Sequence, residues 1–369
     1  MLKSRGFWIG IVVSLVFIGL FVRSTDFGEV RRAFRDANYW WVVASLPVYF
    51  AGLWIRTIRW QYLLRPVRRV KTLRLYPVVI IGLMANNLIP ARAGELARAY
   101  VLGVRERVSK TTALGTIAVD RLFDGVTLVP MMLIVAALAG DRAHFDVGVG
   151  DWKTTLNFEG LGLVMSALFG IAIAMLAVLA FSQRGRDALH RLVHAVAPGR
   201  LKPKVEYLLH SFFEGLSALR SPLDLGVALV MSTASWLLEA TMYYMIAIGF
   251  GIDEPFYVFL LLTAAANLAI AIVASQGGVG PFELVVKETL VSFGVGPQVA
   301  AAYAIGLHAV LLFPVIALGL YLMWSMKLTF GDMLKSSQET GDGEMAAGEA
   351  PGGARPVRAA KPAVEAEPS

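Results

Sequence analysis

The chain has 369 residues, 57% of them hydrophobic and only 17% charged, a balance that excludes an ordinary water-soluble domain. It has no cysteine, which excludes disulfides, thiolate zinc sites, iron–sulfur clusters and cysteine nucleophiles. The formal net charge of +7 sits in loops between apolar runs, so it reads as membrane orientation and anionic-lipid contact, with no nucleic-acid partner. The five histidines are scattered without HExxH or similar ligand spacing, so neither a metal nor another cofactor is expected.

Apolar runs near the roughly 20 residues needed to cross a bilayer recur along the chain. Residues 7–22 follow Lys3 and Arg5 and show no small-residue cleavage site before Arg23, so they read as an uncleaved first helix. Further spans are expected at 39–60, 75–102 with an interruption, 111–139, 161–181, 223–250, 256–293 with an interruption, and 299–326. The fold class is therefore an all-α polytopic membrane protein, with about six full spans and two re-entrant helical hairpins.

The acid-free stretch Arg59, Arg65, Arg68, Arg69, Lys71 and Arg74 and the loop carrying Arg184, Arg186, Arg191, Arg200, Lys202 and Lys204 should be cytoplasmic. The acid-rich loop 141–159 and Asp253-Glu254 then lie outside, and both termini lie in the cytoplasm of a multi-pass (inner) cell-membrane protein. Arg31, Arg32 and Arg35 violate this scheme, but the reverse orientation violates three loops. Within the cytoplasmic loop 183–221, Val205, Leu208, Leu209, Phe212, Phe213, Leu216 and Leu219 recur at helical spacing, which predicts an amphipathic helix on the inner membrane surface. Residues 331–369, rich in Gly, Ala, Glu and Pro, read as a disordered cytoplasmic tail, leaving 1–330 as one transmembrane domain.

The two interruptions share a grammar. In the first, Asn86-Asn87-Leu-Ile-Pro90-Ala-Arg92-Ala-Gly94-Glu95 separates two apolar stretches, and Arg98 follows one turn later. In the second, Asn267 precedes Ser275-Gln-Gly277-Gly278-Val-Gly280-Pro281-Phe-Glu283. A hairpin entering from the cytoplasm at the first and from outside at the second would make 39–139 and 223–326 related units of opposite orientation, an inverted-repeat transporter plan. Irregular backbone at membrane depth implies a cavity, and helix starts facing it attract anions.

The polar residues at depth have two readings each. Arg92 and Arg98 can grip a phosphate through their planar donor forks, or Arg98 can pair with Glu95 at i, i+3 or reach to the interface. Glu95 and Glu283 are first-turn caps or protonatable coupling sites. Asp120-Arg121-Leu-Phe-Asp124-Gly125 lies in an apolar helix with both aspartates on one face. They complement arginines across the cavity or form an internal ion network. Glu239 and His308 read as lone helix-to-helix hydrogen-bonding groups, and Gly115, Gly162 and Gly170 as helix packing contacts. Ser109-Lys110-Thr111 lacks the rest of a phosphate-binding loop.

On three segments, Asn87-Leu-Ile-Pro90-Ala-Arg92-Ala-Gly94-Glu95-Leu-Ala-Arg98, Asp120-Arg121-Leu-Phe-Asp124-Gly125 and Gly277-Gly278-Val-Gly280-Pro281-Phe-Glu283, the chain resembles the lysylphosphatidylglycerol synthase transmembrane region. That region is also called the flippase-like or UPF0104 family. The resemblance covers about 7–326. In two-part members the membrane region is thought to move aminoacylated phospholipid between leaflets while a soluble domain performs aminoacyl transfer, for which this chain has no room. It implies movement of a phospholipid or polyprenyl-phosphate lipid, with a phosphate-headgroup lipid as substrate and an envelope-lipid biosynthetic enzyme as a candidate partner. The alternatives are a membrane-embedded lipid-modifying transferase, with Glu95, Asp120 or Asp124 as general base, and a non-catalytic scaffold. The substrate site expected is Asn86, Asn87, Pro90, Arg92, Gly94, Glu95, Arg98, Asp120, Arg121, Asp124, Ser275, Gly277, Gly278, Gly280 and Glu283, with no catalytic residue assigned.

Overall fold

The computed structural model describes residues 5–23, 25–89, 94–142, 144–149, 152–196, 202–272 and 276–329. The tail at 331–369 and the candidate site residues Pro90, Arg92 and Ser275 lie outside the described residues.

The chain is a polytopic helical membrane protein. Helices α1 (Arg5–Arg23) and α2 (Phe27–Asp36) lead into a first unit: α3 (Tyr39–Leu64), α4 (Thr72–Leu88), α5 (Gly94–Glu106) and α6 (Lys110–Ala139). A connecting stretch holds strands β1 (His144–Val149) and β2 (Trp152–Asn157), then α7 (Phe158–Phe181), α8 (Gln183–Val196) and α9 (Lys202–Gly215). The second unit is α10 (Pro222–Gly249), α11 (Phe256–Ile272), α12 (Pro281–Ser292) and α13 (Pro297–Ser325). Among the described residues, five helices are long and apolar enough to cross a membrane: α3, α6, α7, α10 and α13. The sixth expected span, α1, is helical over 19 residues.

Burial is inverted relative to a soluble protein. Arg59 and Asp120 are fully buried, whereas Leu163, Leu168, Ile171 and Phe181 of α7 are exposed. Hydrocarbon as the outer solvent accounts for both, because apolar side chains lose nothing there and charges must be compensated inside. Exposed Trp40 and Trp324, in the first turn of α3 and the last turn of α13, suit the headgroup regions at the ends of the helices.

Each unit runs long helix, short helix, break, short helix, long helix, and the packing respects that order. α3 lies along α10 as the most extensive interface, while α4 packs on α13 and α11 on α6. Exchanging the units maps the α4–α13 contact onto α11–α6 and the α3–α10 contact onto itself. Close approach in the first hairpin needs glycine: a Cβ on Gly94 would overlap Gly82 O and the Asn86 side chain, and one on Gly82 would lie 3.1 Å from Arg98 Cγ.

The connecting stretch differs from expectation in two places. The acid-rich loop contains an antiparallel hairpin, with His144 opposite Asn157 and Val149 opposite Trp152. Its sequence signal was the Gly150-Asp151 pair between alternating stretches, a hairpin-turn dipeptide that the loop's acidity obscured. The amphipathic helix ends at Gly215 and tightens into a 3-10 turn, Leu216–Arg220. One face is covered by α6, since a Cβ on Gly115 would come 2.7 Å from Phe212 O. Gly115 is thus a packing contact, as is Gly162 against Leu133, whereas Gly170 has nothing within 4 Å and is not one.

Candidate functional site

The site grows from α3. Arg56 and Arg59 are three residues apart, so both point to the same side of the helix, into the protein. The charge pattern places Arg59 with the basic loop, yet it is fully buried in the last turns of α3. Its Nε donates to Asp120 Oδ1 at 2.8 Å, and its Nη1 donates to Asp124 Oδ1 and Ser232 Oγ, each at 2.8 Å. Sequence reading missed it because proximity to loop arginines disguised a helix position. The available signal was that Arg59 lies three residues from Arg56, on one face of a helix that runs on to Leu64.

Asp120 also accepts from Arg98 Nη1 at 3.0 Å through its other oxygen, and Arg121 Nη1 lies 2.9 Å from Asp124 Oδ2. The cluster therefore sets three guanidiniums, Arg59, Arg98 and Arg121, against two carboxylates. Asp120 and Asp124 form the internal network, and among the described residues neither lines the cavity or the side recess at the breaks. Arg98 turns to Asp120 and lies over the Trp60 ring, 3.9 Å from its centroid, instead of pairing with Glu95. The reason is compensation: Asp120 has no exposure, so it takes the nearest buried cations.

Arg56 makes the second ion pair, donating from Nη2 to Glu239 Oε2 at 3.1 Å while stacking over Trp236. Asn267 of α11 donates to Glu239 Oε1 at 3.1 Å. Glu239 is therefore not a lone polar group, and neither is His308, which contacts Glu283 and Gly277. Sequence could not pair these residues, because 183 positions separate Arg56 from Glu239.

Between the two breaks lies a cavity of about 190 Å³. Asn86, Asn87 and Glu95 line it from the first break, and Gly277, Gly278 and His308 from the second, with Arg56 and Glu239 between them. A side recess adds Gly94, Arg98 and Arg121. The structure thus brings together Asn86, Asn87, Gly94, Glu95, Arg98, Arg121, Gly277 and Gly278 of the expected residues. Gly280 and Glu283 lie just behind the wall. The breaks abut: a Cβ on Gly277 would lie 3.3 Å from Asn87 O. Asn86 Oδ1 accepts from Gly94 N–H at 2.8 Å at the start of α5, and Glu283 Oε2 accepts from Gly280 N–H at 2.7 Å at the start of α12. Gly277, Gly278 and Gly280 have φ of 62°, 80° and 97°, which side chains rarely tolerate. Among the described residues no group of histidines and carboxylates is arranged to hold a metal ion.

The model of the lysylphosphatidylglycerol synthase TM region matches residues 7–319. The chain belongs to this family. It is 26% identical over 306 residues to a UPF0104 membrane protein of Methanothermobacter thermautotrophicus, covering 79% of this chain and 87% of that one. It is 25% identical over 353 residues to glycosyltransferase AglD of Haloferax volcanii, covering 91% of this chain but 57% of AglD. A further relative, UPF0104 membrane protein MJ1078 of Methanocaldococcus jannaschii, is 24% identical over 199 residues, 54% of this chain and 75% of that one. No solved structure matches the chain.

Proposed function

We propose that the protein moves a lipid with an anionic or zwitterionic phosphate headgroup, a phospholipid or polyprenyl phosphate, between leaflets of the cell membrane. The headgroup sits in the cavity between the two breaks. One observation carries this reading. The Asp120 cluster has one more cation than anion, and Arg56 Nε and Arg98 Nε and Nη2 are buried without an acceptor among the described residues. Buried guanidinium N–H groups left unpaired are costly, and phosphate oxygens are their best geometric match. Glu95 and Glu239 in the same walls suit an ammonium or hydroxyl of the headgroup.

The breaks are read as re-entrant, the units as inverted repeats, and the basic loops and both termini as cytoplasmic. An envelope-lipid biosynthetic enzyme is the partner that would supply or consume the lipid. The test is leaflet exchange by purified protein in vesicles with headgroup-labelled lipids. Faster exchange of at least one phosphate-bearing lipid is expected, and no change across phospholipids and polyprenyl phosphates refutes the proposal.

The similarity to glycosyltransferase AglD favours a second reading, transfer of a sugar on a lipid carrier. The commitment of Asp120 and Asp124 to arginines leaves Glu95 as its candidate base. Product formation lost in Glu95→Gln would support it.

A further inference from the structure

On the α12–α13 wall of the cavity, His308 uses both ring nitrogens. Nε2 lies 3.0 Å from Gly277 O, and a backbone carbonyl only accepts, so Nε2 carries a hydrogen and donates it. Nδ1 lies 2.6 Å from Glu283 Oε1. In a neutral ring with its hydrogen on Nε2, Nδ1 is a bare lone pair, and an ionised carboxylate also offers only lone pairs. Two acceptors at that separation repel. One additional proton turns the contact into a strong hydrogen bond, carried either by an imidazolium or by the carboxylic acid. The other oxygen of Glu283 is engaged with Gly280 N–H. The pair therefore spans the break, tied to Gly277 at one side and to Gly280 at the other.

We propose that Glu283 and His308 together bind one proton, and that this proton latches the Gly277–Gly280 break against α12 and α13. Release leaves two acceptors facing each other, so either the Gly277 tie or the Gly280 tie must give and the break loosens into the cavity. Other titratable groups lining the cavity are Tyr49 and Arg56 from α3, Glu95 from α5 and Glu239 from α10. α4 and α11 contribute amides and apolar groups, and among the described residues α1 and α2 contribute nothing to the lining. Lys287, one turn along α12, faces Phe21 of α1 and Glu288. Arg56 is held by Glu239, so the nearest carboxylate left to His308 is Glu283. The bound proton is a native-state proton. The latch is therefore complete at low pH and lost as pH rises through the pair's release, where the latched fraction falls up to about tenfold per pH unit.

The proton site stands apart from the lipid assignment; only its use to drive transport rests on that reading. The test uses full-length protein in lipid nanodiscs with isotope-labelled histidine, His308→Gln identifying the His308 signal. The signal is expected to report a proton on or bound at Nδ1 together with Nε2–H at low pH, giving way on raising pH either to a bare Nδ1 or to the Nδ1–H tautomer that has let go of Gly277. In Glu283→Gln the carboxamide donates to Nδ1 and accepts from Gly280, so the ring is expected to stay neutral with the same contacts at every pH. Because the chain lacks cysteine, Val279→Cys reports the break. Its thiolate-corrected labelling should rise several-fold with pH, and should stay flat in Val279→Cys/Glu283→Gln. A His308 signal that is neutral and identical in wild type and Glu283→Gln overturns the proposal. So does labelling that rises equally in both backgrounds. Both readouts are independent of leaflet exchange, whose failure would refute the lipid reading alone.

Discussion

Replacing Asp120 by Asn should destabilise the protein far more than replacing Arg59 by Met, although the two side chains face each other. Asp120 has no exposure and answers two buried guanidiniums with separate oxygens, 2.8 Å from Arg59 Nε and 3.0 Å from Arg98 Nη1. Asp120→Asn leaves three cations to one carboxylate, and uncompensated buried charge costs about 3–5 kcal/mol. Arg59→Met removes three hydrogen bonds, to Asp120, Asp124 and Ser232. It leaves two cations and two anions still paired as Arg98–Asp120 and Arg121–Asp124. Hydrogen bonds in membrane interiors average roughly 0.6 kcal/mol, so its cost is about 2 kcal/mol. In the Asp120→Asn background, removing Arg59 also removes surplus charge, so the double variant should be no worse than Asp120→Asn alone. Reversible unfolding in mixed micelles provides the four stabilities of the cycle. A larger loss for Arg59→Met than for Asp120→Asn, or additive losses in the double variant, refutes the charge accounting.

Gly115→Val should drive α9 from α6 and lower stability by about 1–3 kcal/mol, the usual cost of overpacking. Gly170→Ala, in open space, should be silent in the same assay. Arg56→Gln should slow leaflet exchange about tenfold or more, the loss of one charged hydrogen bond, while Arg56→Lys/Glu239→Asp should restore little because the fork over Trp236 is gone; exchange rates in vesicles decide this. Single cysteines at Ile89 and Val279 should be labelled by membrane-impermeant reagents from opposite sides of the membrane. Labelling of both from one side removes the inverted arrangement.

The spans were legible because each is an unbroken apolar run, and the breaks because Gly and Pro interrupt such runs beside Asn and Glu. Asp120 and Asp124 could be singled out as intramembrane charges, but their partners could not. Arg59 lies 61 positions from Asp120, and Glu239 lies 183 from Arg56, distances over which no periodicity speaks. The competing readings of Arg98 also needed the fold: i, i+3 spacing made Glu95 available, but Asp120, sealed from any solvent, outcompeted it. The β1–β2 hairpin was hidden by its acidity, which also carried the orientation argument.

The ties holding the two breaks differ in kind. α5 is fastened to α6 by Arg98 and Asp120, a guanidinium and a carboxylate that attract with no added proton between them. α12 meets α13 through Glu283 and His308, a fastening that a single proton makes or unmakes. The two halves share one plan but not one degree of freedom: the first is the anchored jaw of the vice and the second the one that turns. We predict faster amide hydrogen exchange at Gly277–Gly280 than at Gly94–Arg98, and the reverse order would make the first jaw the moving one.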